Sequence, residues 1–211
     1  MPGRPQLLLV VLVLAGTAPA IAADAEWQFR VLLDGKEIGT HTFTVVQEGN
    51  TRSVQSRAEF DVRFLFFTAY SYEHTNVEQW TGNCLGSIDA RTVTNSKKQT
   101  VVGEQTADGF VVRNDDGSET LPACVMTFAY WNPAFLRQSQ LLNPQTGEFL
   151  SVDIERLPED SLTVRGVRRD AEAYKVTAKD TEVSVWYSRD QEWLALESTA
   201  RGGRIIRYEL I

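Results

Sequence analysis

The side chains able to do chemistry are few and scattered. His41 and His74 are the chain's full complement of histidine. A zinc site needs three or four ligands in tight local groups, and neither histidine has such a group beside it. Both read as surface or sheet-face residues, and no metal is assigned. Two carboxylate pairs occur. Glu59 and Asp61 share one parity of a strand pattern and read as solvent-facing. Asp115 and Asp116 lie in a turn, where Asp bonds its own backbone. No Gly-x-Ser-x-Gly element is present, and no cysteine has a plausible partner histidine; a triad assembled from distant positions leaves no motif to read. Gly202-Gly203 falls between two strand patterns, so it is a hairpin turn and not a phosphate loop opening a helix. No catalytic residue and no cofactor is assigned.

The aromatic residues have more leverage. Phe60, Phe64, Phe66, Phe67, Tyr70, Tyr72 and Trp80 crowd into positions 60–80, and Tyr130, Trp131, Trp186 and Tyr187 add to them. Aromatic residues belong in β-cores, and that is the plain reading. The functional reading is a concave sheet face that holds an apolar ligand, because such pockets are apolar with few polar groups and recur at barrel mouths. On it the candidate ligand-binding residues are Phe60, Phe64, Phe66, Tyr70, Tyr72, Tyr130, Trp131, Asn132 and Trp186. Asn132 either caps a backbone turn or points into the pocket. Leu65 and Phe67 sit on the otherwise polar parity of their run, which marks them as a contact with another protein chain.

Strands must position these rings. Trp27, Phe29, Val31 and Leu33 alternate with their neighbours at period two. Asp34-Gly35 is a hairpin signal, and a β-branched run returns from Ile38 to Val46. Phe60, Val62, Phe64, Phe66, Tyr70 and Tyr72 share one parity in a run too long for one flat strand, so a bend or break is expected near Phe67-Thr68-Ala69. Shorter runs follow, punctuated at Asp108-Gly109, Asn114–Gly117 and Thr146-Gly147. Such a meander predicts a mainly β fold: a strongly curved antiparallel sheet or incomplete β-barrel of about ten strands, with a lipocalin-like closed barrel as the nearest variant. The uncharged segment Pro122–Trp131, ended by Asn132-Pro133, breaks the pattern. One short helical insert around 122–140 is expected there, with one or two helical turns between Ala134 and Leu142.

The N-terminus reads as a signal peptide, residues 1–22. Arg4 is followed by the apolar run Leu7–Leu14, then small residues with Ala20 and Ala22 at the spacing that signal peptidase reads. The run is far shorter than the ~20 residues a spanning helix needs. Residues 23–211 then form one β-rich domain, periplasmic or secreted, not membrane-spanning after cleavage. Export makes a disulfide the expected state of the two cysteines, Cys84 and Cys124. It would close a loop of about 40 residues and contribute roughly 4 kcal/mol. The formal net charge of −7, more negative still without Arg4, argues against nucleic acid as a partner.

Three stretches carry a resemblance: Trp27–Gly39 (WQFRVLLDGKEIG); Ala129–Pro133 with Leu141–Gly147; and Val185–Ser188 with Tyr208–Leu210. Together they resemble the DUF6134 family of exported proteins of unknown function and, more distantly, the DUF3108 family. The resemblance implies an exported curved β-sheet protein and implies no activity. The expectation is therefore a cell-envelope binding or carrier module for a lipid or other hydrophobic ligand. The alternative is an envelope assembly factor acting through Leu65 and Phe67; an enzyme is the lesser reading.

Overall fold

A computed structural model describes residues 23–64, 67–179 and 181–211. The proposed leader, residues 1–22, lies outside them, as do Leu65 and Phe66. The first eight strands form a meander: β1 (Ala23–Leu33), β2 (Lys36–Glu48), β3 (Thr51–Phe64), β4 (Phe67–Thr81), β5 (Cys84–Thr94), β6 (Lys97–Thr106), β7 (Gly109–Asn114) and β8 (Gly117–Leu121). An irregular stretch then carries a 3-10 turn at Pro133–Arg137 and a small hairpin, β9 (Gln140–Leu142) with β10 (Phe149–Ser151). The chain returns to the main sheet through β11 (Asp153–Arg156), β12 (Asp160–Val164), β13 (Val167–Ala178), β14 (Thr181–Tyr187), β15 (Trp193–Thr199) and β16 (Ile205–Leu210).

Fourteen strands join one antiparallel sheet, in the order β11-β13-β14-β15-β16-β1-β2-β3-β4-β5-β6-β7-β8, with β12 also paired to β13. The predicted class is correct: a mainly β, strongly curved, incomplete barrel. The expected count of about ten strands is too low. β8 (GSETL) is largely polar, and β9–β11 are only three or four residues long, too short for alternation to read. The run around Phe60–Tyr72 is two long strands, of 14 and 15 residues, that meet at the pair Phe64 and Phe67. A register shift between Val62 and Arg63 bends them. Gly39 lets β2 cross tightly on β3, since a Cβ there would fall 1.8 Å from the Glu59 carbonyl oxygen.

The turns gather at two ends. One holds Asp34-Gly35, Asn95 and the 3-10 turn Arg201–Gly203, tied by Asp34 N–H donating to the Ile205 carbonyl (2.8 Å) and by an Arg204–Asp34 ion pair (2.7 Å). The other holds Gly49-Asn50 and Gly82-Asn83, and residues 122–142 fold in over it. The Cys84–Cys124 disulfide fastens them there, as the sequence led us to expect. Leu85 N–H also donates to the Val125 carbonyl (3.0 Å). Met126, Phe135, Leu141 and Leu142 of this plug are fully buried. The sheet edges β8 and β11 do not pair. The 143–148 turn spans between them, with Asn114 Nδ2 donating to the Thr146 carbonyl (2.7 Å) and Lys179 to Glu148 (3.0 Å).

The helical insert shrinks to one 3-10 turn. Pro133 presets its start, and the Asn132 side chain accepts from Ala134 N–H (3.2 Å). Of the one or two turns expected one forms: Gln138 is extended, and Gln140–Leu142 is strand.

Candidate functional site

Register sorts the concave face into rows that run across the strands. Starting at the unplugged end, the first row is Tyr208, Val31, Gly39, Phe60, Tyr72 and Thr94. The second is Leu210, Phe29, His41, Ala58, His74 and Thr92, and the third Phe43, Ser56, Asn76, Ala90 and Val101. The fourth is Val45, Val54, Glu78, Ile88, Gly103 and Val112. The third and fourth rows are buried throughout, as is the second apart from His41, whereas Gly39, His41, Phe60, Tyr72 and Tyr208 keep some exposure. Packing thus loosens toward the unplugged end.

A connected series of rings fills the interior. Tyr130 of the plug lies 5.5 Å from Trp193, which contacts Phe29 (4.3 Å) and Phe43 (5.0 Å). Phe29 reaches Tyr208 (5.9 Å), Tyr208 reaches Phe60 (6.2 Å), and Phe60 stacks on Tyr72 at 5.1 Å and 10°. His41 and His74 belong to this interior, which corrects the surface reading. They flank Ala58 in one row, and the small side chain between them leaves both imidazoles facing inward. His41 stacks on Phe43 (4.1 Å), and its Nδ1 shares a 3.4 Å hydrogen bond with the Tyr208 hydroxyl. His74 Nδ1 shares one of 2.9 Å with Thr92 Oγ1. Burial first, then the charge of His74, pushes His41 down to about 3; burial pushes His74 down to about 4. Both are neutral at ordinary pH. Burial raises Tyr72 and Tyr208 above the usual phenol range, so both stay protonated.

Glu78 is the functional-looking residue that sequence reading missed. Its carboxyl is buried and accepts from Asn76 Nδ2 and Trp80 Nε1, each at 2.9 Å, with the Thr127 side chain as a third partner. Burial raises its pKa and the three hydrogen bonds oppose the rise. Thr127 belongs to the plug, so this carboxyl joins plug to wall. The signal was available: Tyr72, His74, Asn76, Glu78 and Trp80 continue one parity, with Glu73, Thr75, Val77 and Gln79 on the other. Among the described residues no group of three or more His, Cys, Asp or Glu is placed to hold a metal ion.

The nine aromatic and Asn candidates do not converge on one place. Phe60 and Tyr72 form the stacked pair of the first row, and Tyr70 stands exposed near the rim. Tyr130 and Trp131 belong to the plug. Trp131 packs edge-on against Trp80 (5.5 Å) beneath the Arg52 guanidinium (4.9 Å). Asn132 takes the capping role, and its Nδ2 donates to Asn83 Oδ1 (3.2 Å). Trp186 lies on the opposite sheet face from its inward neighbours Val185 and Tyr187. There it pairs in register with Ala173 and Ala195 and donates to Asp160 (3.2 Å). Phe66 and Leu65, and the side chains of Phe64 and Phe67, lie outside the described residues.

At the unplugged end the curved sheet opens into a cleft of about 820 Å³. Leu33, Ile38, Val62 and Ala69 supply its apolar lining, and Asp34, Lys36, Glu37, Asp61 and Arg204 its charged one. Gly39 and Val62 line it too, each two residues along its strand from His41 and Phe60 respectively. The cleft therefore borders the first interior row at Gly39, one inward-facing position from His41 along β2.

The family model of DUF6134, a domain of unknown function, matches residues 29–211. The chain belongs to the DUF6134 family. No curated protein matches it. Among solved structures it is similar to a β-barrel-like protein of the domain of unknown function DUF1849 from Brucella abortus, at 8% identity and a TM-score of 0.65. That similarity covers 92% of this chain and 98% of the other. At such low identity it bears on the fold alone, and it agrees with the incomplete barrel described above. In this DUF6134 chain, the cleft adjoins the first interior row at Gly39.

Proposed function

We propose that this protein is an exported binding or carrier module that holds a hydrophobic small molecule or lipid in the cleft at the unplugged end. The observation that carries this reading is the contrast between the two ends of one sheet: one is packed solid by the plug, and the other opens into a cleft of about 820 Å³. Ligand pockets commonly measure ~300–1,000 Å³. The apolar lining of Leu33, Ile38, Val62 and Ala69 suits an alkyl or terpenoid body. The charged rim marks the water boundary.

Export supports the same reading. Paired cysteines suit an oxidising compartment, and the leader-like N-terminus suits a periplasmic or secreted destination. Among the described residues no helix is long and apolar enough to cross a membrane.

Native mass spectrometry of the protein purified from an envelope fraction, with organic extraction of the same sample, tests the proposal. A co-purifying apolar molecule is expected, lost when Val62 and Ala69 are both replaced by Asp. An empty protein that also fails to take up Nile red would refute it.

A further inference from the structure

The interior beneath the cleft is polar in a particular way. Among the described residues His41 Nε2 is shielded from solvent and has no hydrogen-bond partner, and the same is true of Asn76 Oδ1 one row deeper. Shielded polar atoms without partners are uncommon in folded proteins and call for an explanation. Both lie on the concave face, in rows that continue the cleft wall inward from Gly39 and Val62. Tyr208 holds the other ring nitrogen of His41, and the stack on Phe43 fixes the ring plane, so the orientation of Nε2 is set by the fold.

We propose that the molecule held in the cleft is an uncharged amphiphile that enters polar end first, and that a hydroxyl at this end hydrogen-bonds His41 Nε2. This inference rests on the cleft being the ligand site. Three observations select the chemistry. First, Tyr208 either donates to His41 Nδ1 or accepts from it, which leaves Nε2 as a donor in one case and an acceptor in the other. A hydroxyl can both donate and accept, so it satisfies either tautomer. Second, the described side chains of the first three rows include no lysine or arginine. Arg204 is paired to Asp34 at the rim, and Lys36 is exposed there. A carboxylate or phosphate carried down to His41 would be buried without a counter-charge. Third, the histidines themselves are neutral in the fold and supply no positive charge.

Nile red displacement at pH 7.5 by dodecan-1-ol and by dodecanoate tests this, with the imidazole 15N resonances of the wild-type protein recorded alongside. The alcohol is expected to displace the dye at about a tenfold lower concentration than the carboxylate, the size of one hydrogen bond formed or one charge left unpaired. The His41 Nε2 resonance is expected to shift with the alcohol. His41→Phe, which keeps a ring against Phe43, is expected to lose about tenfold for the alcohol and so bring it level with the carboxylate. Equal displacement by the two chains with an unmoved His41 resonance overturns the inference and leaves the cleft as a ligand site. Failure of Nile red to bind at all removes both readings. Should His41→Phe fail to fold, the wild-type resonance and the displacement ratio decide.

Discussion

The two ends of the sheet are built from the same strands, yet they differ in what fills them. At the plugged end, β4 and β5 present Glu78, Trp80, Leu85 and Ile88 to a segment fastened by a disulfide, and each of these side chains is buried. Toward the other end the same β4 presents His74, Tyr72 and Tyr70, buried, partly buried and exposed in turn. Inward-facing parity therefore does not by itself mean core. Residues 122–142 supply an opposing surface at one end; toward the other Phe29 and Val31 are still buried, and exposure begins at Tyr72 and Tyr70. Stability should concentrate there, and binding at the other end.

The comparison can be broken first at the disulfide. Replacing Cys84 and Cys124 by Ala is expected to cost about 4 kcal/mol in urea unfolding, with Nile red binding at the cleft retained in the folded fraction. Loss of binding with little loss of stability would reverse the roles of the two ends. Next comes Glu78→Ala, which leaves Trp80 Nε1 and Asn76 Nδ2 without their acceptor. It is expected to cost about 3 kcal/mol, and Glu78→Gln, which keeps one acceptor, distinctly less.

Acid sharpens the comparison. His41 and His74 titrate near 6.5 in the unfolded chain and at about 3 and about 4 in the fold. Their contribution is whole above pH 6.5 and is lost as pH falls toward those values, at about 1.4 kcal/mol per pH unit for each. Glu78 acts oppositely. Its pKa is raised, so its contribution is whole below 4.5 and is lost as pH rises through the folded value. Between pH 7.5 and 5.5 a net fall of about 2–3 kcal/mol is expected from the histidines, and the His41→Phe/His74→Phe double variant should flatten that slope. The smallest effect belongs to the rim: Tyr70→Ser is expected to change stability by less than about 0.5 kcal/mol, since Tyr70 is 37% exposed.

Period-two alternation made most strands legible in the sequence. Trp27–Leu33 pairs as its pattern requires, and Asp34-Gly35 makes its hairpin. The β3–β4 turn was harder to place, because Phe64 and Phe67 meet with no Gly, Asn, Asp or Pro between them. The break was expected three residues further on. Cys84–Cys124 and the capping role of Asn132 were legible from compartment and local spacing. The polar interior was legible only in part. Parity along β4 already sets His74 and Glu78 with Tyr72 and Trp80, whereas His41 carries a residue type that normally faces water, and only register across β2, β3 and β4 shows it on the same face as Phe60 and His74. Trp186 is set apart from the other ring candidates for the complementary reason: parity along β14 places it on the face opposite Val185. A type-based list of aromatics cannot carry that distinction.

The seam between β1 and β16 has a kinetic consequence. Nearly every other strand of the main sheet pairs with a neighbour a few residues away, whereas here Arg30 meets Glu209 across 179 positions. Each half-sheet can zip up locally, but uniting them requires closure of almost the whole described chain, a slow and entropically costly step. Until the final strand arrives, one hydrogen-bonding margin of β1 stays unsatisfied. A circular permutant that links residue 211 to residue 23 and opens the chain at the 143–148 turn would make this contact local, and should refold faster than the natural order.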